Sequence, residues 1–210
     1  MTEAVDSPAL EILIATLADN KYFLGRRYAE WCTGAPSLEA AVAAAGMAQD
    51  EIGHARSFYP LLRDVAGEEV EPETRTDFVN APFLDRPFAG WVDFTVANFL
   101  FDTAIAVLLE AARGSSFRPL AHRAARILEE EQLHWLHGEG WLLRLCAGDG
   151  AMRRAVHDAV ALVRPQALDF FEIAAPELVE QGVLALSSDE LADAFEQRVG
   201  PVLAEAGIAG

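Results

Sequence analysis

The sequence predicts an all-α protein, a four-helix bundle with additional C-terminal helices, folded as a single domain over residues 1–210. Apolar residues recur at three- and four-residue steps along most of the chain, and the alternation typical of strands is nearly absent. A hydrophobic content of 52% supplies enough apolar surface for a sizeable core. The four longest predicted helices have about 25 residues, or about 37 Å each, which is the length typical of bundle helices.

The first two helices are predicted from their caps and their apolar faces. The first begins at Ser7-Pro8, a capping side chain followed by proline at the first helical position, and extends to about Cys32. Its predicted buried face consists of Leu10, Leu13, Ile14, Leu17, Leu24 and Tyr28. After a turn rich in glycine and proline, the second helix runs from Ser37 to about Ala66.

The next two helices follow a long connection. Residues 67–87 are acidic and contain three prolines, which predicts a connection rather than a strand. The third helix is predicted over Phe88–Arg113 and the fourth over Pro119–Cys146, with a Gly-Ser-Ser turn between them.

Shorter helices are predicted towards the C-terminus. A fifth helix spans Ala151–Ile173, with a kink expected at Pro165 because proline cannot donate the backbone hydrogen bond there. A short piece covers Pro176–Gln181. The last helix starts after Ser187, where Ser187 and Glu190 have the spacing of a capping box.

The charge balance excludes several classes of function. Sixteen Lys and Arg residues against 33 Asp and Glu give a formal charge of −17, which disfavours binding to nucleic acid or to an anionic membrane. Two cysteines, Cys32 and Cys146, form no disulfide framework and indicate a reducing compartment. The first residues lack the features of a signal peptide, and no uncharged apolar run reaches membrane-spanning length. We expect a soluble, cytoplasmic protein.

Two Glu-x-x-His elements carry the functional prediction. Glu51 and His54 lie on the second helix, and Glu131 and His134 lie on the fourth. A three-residue step returns to nearly the same face of a helix, so each pair can reach one point inside the bundle. Carboxylate and imidazole ligands suit iron, manganese or zinc, and two facing pairs are typical of a di-iron carboxylate bundle. The alternative is a charged, solvated face.

An acid precedes each glutamate of the two elements. A metal-bound histidine commonly donates its second ring N–H to a carboxylate, and Asp50 and Glu130 could serve the histidine of the opposite helix. The alternative is that both are plain surface acids.

A bundle of this kind also needs a carboxylate from each of the other two helices. Asp102 is an acid in an otherwise apolar stretch of the third helix, and metal ligation would compensate its burial, whereas exposure on a narrow polar stripe is the alternative. In the first helix the acids are Asp19 and Glu30, and neither fits the register comfortably.

Two long runs of the sequence resemble a known family. They are LADNKYFLGRRYAEWCTGAPSLEAAVAAAGMAQDEIGHARSFY and FDTAIAVLLEAARGSSFRPLAHRAARILEEEQLHWLHGEGWLLRL, and the tail SSDELADAFEQRVGPVLAEAG resembles it more weakly. The family is that of the phenylacetyl-CoA ring-epoxidase subunits, which includes a catalytic di-iron subunit and a structural partner. The resemblance implies a ferritin-like fold, with metal ligands at Glu51, His54, Asp102, Glu131 and His134.

The chain departs from the catalytic subunits at one ligand position. The first-helix glutamate, counted back from Trp31 and Ala35-Pro36, falls on Lys21. The first helix also resembles that of the structural subunit, which has lost several metal ligands. The sequence is therefore intermediate between the two subunit types.

Charge arithmetic predicts what a lysine does at that position. Four carboxylates balance two divalent metals, whereas three carboxylates and one ammonium balance one. We hypothesise that Lys21 replaces the charge of one metal and leaves a single occupied position, or a site of poor affinity for a second metal. Loss of the lysine proton, a carbamate on the lysine, or a one-residue shift of register are the alternatives.

The function implied by the resemblance is an O₂-dependent non-haem iron oxygenase. We expect one or two Fe ions, or Mn, with Glu51, Glu131 and Lys21 acting in catalysis. The substrate would be an aromatic acyl-CoA or similar thioester that is epoxidised or hydroxylated, with electrons from a separate reductase. The partner would be a second copy or a homologous subunit. The alternatives are a non-catalytic structural subunit with a vestigial or single-metal site, and a metal-dependent enzyme of other chemistry.

The remaining candidate residues are expected to be structural. His137 is expected at the edge of the bundle, with a hydrogen-bonding position behind the metal ligands, on the face of His134, as the alternative. His122 and His157 are expected at the surface or satisfied within a helix. The two cysteines are expected to pack rather than react. Three tryptophans are expected to contribute to the core first and to a substrate pocket second: Trp91, Trp135 and Trp141.

Overall fold

The computed structural model describes residues 7–67 and 70–208, and within these ranges the chain is helical with no β-strand. The predicted all-α class is confirmed. The α-helices of the described chain are α1 Pro8–Ala29, α2 Leu38–Ala66, α3 Trp91–Ala112, α4 Arg118–Cys146, α5 Gly150–Asp169, α6 Pro176–Glu180 and α7 Ser188–Glu205. The four longest helices, α1 to α4, form the bundle, as is typical of ferritin-like proteins. One continuous hydrophobic core extends from Leu10 in α1 to Ile208 after α7.

The ends of α1 and α2 follow from their caps. The Ser7 hydroxyl accepts a hydrogen bond from the backbone N–H of Leu10, and proline follows at the first position. The prediction that α1 reaches Cys32 is wrong by three residues, because beyond Ala29 the backbone closes tight turns instead of continuing the helix. Helix α2 ends at Gly67, whose φ of 74° is readily adopted only by glycine.

Helices α1 and α2 pack closely through Gly25. A Cβ atom at Gly25 would lie 2.8 Å from Cγ1 of Ile52 and 3.0 Å from its backbone nitrogen. Glycine therefore allows the two helices to approach, one turn after Lys21 in α1 and next to Glu51 in α2. This approach brings the lysine within reach of the carboxylate.

Helix α3 is the central helix of the bundle, and its middle is not a regular α-helix. It begins at Trp91 after the cap Gly90, three residues later than the predicted start at Phe88, and six residues, Ala97–Asp102, form a π-helical segment. By length and hydropathy α3 could cross a membrane, but 89% of its most apolar window is buried inside the protein. Its composition is therefore that of a core helix. No feature of the sequence predicted the π segment.

Helix α4 lies against this segment. A Cβ at Gly138 would lie 3.0 Å from Cα and 3.1 Å from N of Phe99, so the backbones of α3 and α4 touch there. Glu131 and His134 are one to two turns before Gly138, and this close approach holds them near Asp102.

The remaining elements cover the bundle. The fifth helix ends at Asp169 and continues as a 3₁₀ turn over Phe170–Ile173. Pro165 lies inside it, and the kink there stays a prediction. The predicted capping box is confirmed at the start of α7, because the side chains of Ser187 and Glu190 each accept a hydrogen bond from the other residue's backbone N–H. In the long connection, a 3₁₀ turn over Pro82–Asp85 buries Leu84.

Candidate metal centre

The bundle buries the five predicted ligands together, and four of them, without His54, bring a ligand atom to within 4.8 Å of one another. Two come from α2, one from the π segment of α3 and two from α4. Their exposed fractions are 0% for Glu51, 4% for His54, 2% for Asp102, 3% for Glu131 and 1% for His134. None of these charged or titratable side chains points to solvent, so the alternative of a solvated charged face is wrong for these five positions.

Lys21 reaches the same point from α1. Its side chain is fully buried, and its ammonium nitrogen Nζ lies 2.6 Å from Asp102 Oδ1, 2.6 Å from Glu131 Oε1 and 2.9 Å from Glu51 Oε1. Lys21 is the only lysine of the sequence, because the rest of the 16 Lys and Arg residues are arginines. Three charge-assisted hydrogen bonds use the full donor capacity of the ammonium.

Each carboxylate uses only one of its oxygens for Lys21. The second oxygen of Asp102, Oδ2, lies 2.9 Å from Nδ1 of His134, and Oε2 of Glu131 lies 3.7 Å from the same nitrogen. His54 instead lies on the lysine side, since its Nδ1 is 3.4 Å from the Glu131 oxygen that Lys21 binds. Nδ1 of His134 also lies 3.2 Å from the lysine-bound oxygen of Glu51, so the two sides of the centre differ mainly because His134 contacts the second oxygen of Asp102 as well.

The outer acids orient both imidazole rings. Nε2 of His54 donates to Glu130 at 2.6 Å, and Nε2 of His134 donates to Asp50 at 3.3 Å. Each acid thus serves the histidine of the opposite helix, as the sequence predicted. With Nε2–H directed outwards, Nδ1 is the ring atom that faces the centre, which is the arrangement seen for metal-bound histidines.

Burial and charge act against each other in the cluster. Burial alone would lower the pKa of Lys21, but the charges of Asp102, Glu131 and Glu51 outweigh it and hold that pKa well above its usual value. Burial likewise opposes ionisation of Asp102, yet Lys21 and His134 keep its pKa well below the usual range. For Glu51 burial wins, reinforced by the charge of Asp102, and its pKa is raised.

Burial and hydrogen bonding also oppose each other at both histidines. Burial disfavours the charged rings, but hydrogen bonds to Asp102 and Asp50 raise the pKa of His134 far above its usual value. The pKa of His54 is raised in the same way against burial, by Glu131 and Glu51. Protons on the two rings and a metal ion are thus alternative sources of positive charge in the centre.

The donor set could hold a divalent ion. One ligand atom each from Glu51, Asp102, Glu131 and His134 lie within 4.8 Å of one another, close to the spread that one coordination sphere requires. Glu51 Oε2 and His54 Nδ1 are buried without a hydrogen-bond partner. A second ion would need the carboxylate that α1 lacks, and the ammonium of Lys21 already uses one oxygen of each carboxylate.

The two first-helix acids have other roles. Asp19 is fully buried but faces away from the centre, and it accepts hydrogen bonds from Tyr59, Arg75 and the backbone N–H of Val79. Glu30 pairs with Arg27 at the end of α1. Neither acid reaches the ligand cluster, in agreement with the register that excluded them.

Two residues next to the centre were missed by the sequence analysis. Asn98 Nδ2 donates to Asp102 Oδ2 at 3.4 Å, and its Oδ1 lies 3.4 Å from Nδ1 of His137. Tyr28 is fully buried, and burial together with the nearby Asp102 raises the pKa of its phenol well above the usual value. Helical spacing offered a signal for both, since Asn98 is four residues before Asp102 and Tyr28 is seven after Lys21.

The other singled-out residues lie outside the ligand cluster. His137 is half-buried among the rings of Trp91, Phe94 and Trp141, and His157 is exposed. Both cysteines are free, with Cys146 buried. A cavity of about 500 Å³ adjoins His54 and Glu130 from the outer side, and it is lined by the basic side chains of Arg123, Arg126 and His122 among others.

The chain is similar to a protein family and to two curated proteins whose names refer to phenylacetic acid or its CoA thioester. The sequence model of the phenylacetic acid catabolic protein family matches residues 1–209. Among curated proteins, the chain is 30% identical over 149 residues to one of the subunits of the 1,2-phenylacetyl-CoA epoxidase of Escherichia coli K12, covering 69% of this chain and 60% of that relative. It is 26% identical over 133 residues to another of the subunits of the same enzyme, covering 62% of this chain and 43% of the relative.

Proposed function

The chain belongs to the phenylacetic acid catabolic protein family. We propose that it is a non-catalytic partner subunit of a multicomponent epoxidase that acts on an aromatic acyl-CoA. Family membership supports a role in phenylacetate catabolism. Both curated relatives are named as subunits of an epoxidase, which supports assembly with other chains.

The position of Lys21 is the observation that carries the proposal. Its ammonium lies within 2.9 Å of three carboxylates and takes the place where a two-metal centre needs a fourth carboxylate. A pair of iron ions bound together can share the electrons that O₂ reduction requires. A centre that Lys21 limits to one ion departs from the di-iron centre of a catalytic subunit, and this departure supports a structural role.

Exposed apolar side chains support association with another chain. Leu38 and Val42 on α2 are 77% and 65% exposed, and Leu133 and Leu136 on α4 are 70% and 60% exposed. These two helices also carry four of the five ligands. Exposed large apolar side chains are typical of protein interfaces, and the partner we propose is the homologous catalytic subunit.

The second candidate function is the oxygenase itself, with iron as the metal. It is favoured by the retained His and carboxylate ligands and by the cavity beside His54, which contains Arg123 and Arg126 and is large enough for part of a thioester substrate. In that case Glu51, Asp102, Glu131 and His134 would hold the ion, which would supply O₂ activation when bound. A separate reductase would supply the electrons, and a cytoplasmic location would supply both reductant and ferrous ion.

Oxygen consumption distinguishes the two candidates. The purified chain is supplied with Fe²⁺, a flavin and iron–sulfur reductase, and phenylacetyl-CoA, first alone and then together with a catalytic homologue. We expect no substrate-dependent oxygen consumption by the chain alone, and a stable complex that raises the activity of the homologue. Substrate-dependent oxygen consumption and an oxygenated product from the chain alone would overturn the partner-subunit proposal.

A further inference from the structure

We propose that the centre binds one divalent cation on its His134 side, next to the ammonium of Lys21, and that Lys21 limits the stoichiometry to one ion per chain. The cation would be held by Asp102 Oδ2, Glu131 Oε2, the free oxygen of Glu51 and Nδ1 of His134. This proposal rests on the proposed function and deepens it, because it states how many ions the centre of the partner subunit binds.

The division of the carboxylate oxygens is the first argument. Lys21 Nζ takes Oδ1 of Asp102 and Oε1 of Glu51 and Glu131, at 2.6 to 2.9 Å. The remaining oxygen of Asp102 is 2.9 Å from His134 Nδ1, and that of Glu131 is 3.7 Å from it. Each carboxylate is thus able to bridge the ammonium and an ion beside it.

The unsatisfied oxygen of Glu51 is the second argument. Glu51 is fully buried, and its Oε2 has no hydrogen-bond partner. A buried carboxylate oxygen without a donor is unfavourable, because burial has removed its water and no hydrogen bond replaces it. A cation in contact with this oxygen removes that penalty.

The charge of the centre is the third argument. Three buried carboxylates and one ammonium leave two negative charges, which a single divalent ion cancels. A second divalent ion would bring an excess of two positive charges into a buried site that already holds the ammonium. The same balance predicts that a glutamate in place of Lys21 makes room for two ions.

The two histidines are expected to differ in their importance for binding the ion. His134 Nδ1 lies 2.9 Å from the free oxygen of Asp102 and 3.2 Å from the lysine-bound oxygen of Glu51. His54 Nδ1 lies 3.4 and 3.9 Å from Glu131 Oε1 and Glu51 Oε1, which Lys21 binds. Both rings are buried and both are oriented by an outer acid. We therefore expect His134 to be required for the ion and His54 to be dispensable for it.

The test is the metal stoichiometry of the full chain, measured by titration with Co²⁺ and by elemental analysis after gel filtration. We expect one Co²⁺ per wild-type chain, one for His54→Ala, none for His134→Ala or Asp102→Asn, and two for Lys21→Glu. With Mn²⁺, electron paramagnetic resonance should show an isolated ion in the wild type and a coupled pair in Lys21→Glu.

Zero or two ions in the folded wild-type chain would overturn the proposal, and this result needs no variant. Equal loss of the ion in His54→Ala and His134→Ala would overturn the assignment to the His134 side. If Lys21→Glu does not fold, the wild-type stoichiometry and the paired histidine variants still decide the question. None of these readouts depends on oxygen consumption or on a partner chain, so failure here is distinguishable from failure of the partner-subunit proposal.

Discussion

At the scale of single residues, a buried ammonium is stable only when its charge is matched. Lys21 is fully buried and contacts three carboxylates, and removing it leaves those carboxylates without their nearest cation. We expect Lys21→Met to lower the free energy of unfolding by about 3–5 kcal/mol in the presence of a chelator, since an unpaired buried charge is strongly destabilising. Urea denaturation measures the effect.

Arg26→Met in the same helix is the control for that prediction. Its guanidinium is exposed and lies over the rings of Tyr22 and Phe23, so we expect a loss below about 1 kcal/mol. A Lys21→Met protein as stable as the Arg26→Met protein would show that the ammonium does not bind the three carboxylates.

His137 predicts a dependence of stability on pH. Burial, with a contribution from the charge of His134, lowers its pKa to about 4. Between about pH 6.5 and pH 4, His137 is protonated in the unfolded chain but neutral in the folded chain. This residue therefore lowers the stability of the protein as the pH falls through that range. At higher pH both states are neutral and the effect vanishes.

Replacement of His137 by phenylalanine removes this pH dependence. The ring contacts Trp91, Phe94 and Trp141, so phenylalanine suits the site. We expect the stability of His137→Phe relative to wild type to improve between pH 7.5 and pH 5, as measured by urea denaturation at both values. His157→Phe, at an exposed position, is the control, and an unchanged difference for His137→Phe would contradict the prediction.

At the scale of elements, two glycines of α4 have opposite surroundings. A Cβ at Gly138 would meet the backbone of Phe99 at 3.0 Å, whereas a Cβ at Gly140 would meet nothing within 4 Å. We expect Gly138→Ala to destabilise the protein by about 1–3 kcal/mol, because α3 and α4 must separate. Gly140→Ala should stabilise it by about 0.5–1 kcal/mol through helix propensity.

The pair of glycine variants also tests what holds the centre together. Separation of α3 from α4 moves Asp102 away from His134, so Gly138→Ala should also weaken Co²⁺ binding, while Gly140→Ala should not. Equal thermal midpoints for the two variants would contradict the close approach of the two backbones.

Most of the elements and most of the centre were predictable because both are local in sequence. Caps at Ser7 and Ser187 and the three-residue step from Glu51 to His54 are properties of neighbouring residues. The π segment at Ala97–Asp102 was not predictable, since its extra residue per turn has no compositional signature, and it arises where α3 packs against Gly138. The early end of α1 at Ala29 likewise depends on turns beyond it.

The role of Lys21 was predictable only in part. The family resemblance, counted back from Trp31, placed it at a ligand position. Charge arithmetic gave the hypothesis that it replaces a metal charge. Only the packed bundle shows which oxygens it takes, because that depends on three helices at once.

At the scale of the whole molecule, a partner subunit needs a surface that binds the homologous catalytic subunit. The double variant Leu133→Asp with Leu136→Asp changes two side chains that are 70% and 60% exposed, so the fold should tolerate it. We expect at least a roughly tenfold loss of affinity for the homologous catalytic subunit, since charges would be buried at the interface. Calorimetric titration with the homologue measures the affinity.

Leu162→Asp on α5 is the matched control, because this leucine is 59% exposed and lies outside α2 and α4. Its affinity should equal that of the wild type. Unchanged affinity of the double variant would place the interface on another face of the bundle.

The measurement that tests the central claim most directly uses the single lysine of the chain. Protein labelled with ¹⁵N at the lysine side chain should give one ammonium signal in nuclear magnetic resonance, since Lys21 is the only lysine. We predict protons protected from exchange with water, and a signal that shifts on addition of Zn²⁺ and stops shifting at one equivalent. A signal in rapid exchange with water, or one that is unaffected by Zn²⁺ or still shifts beyond one equivalent, would contradict a centre shared by one ammonium and one cation.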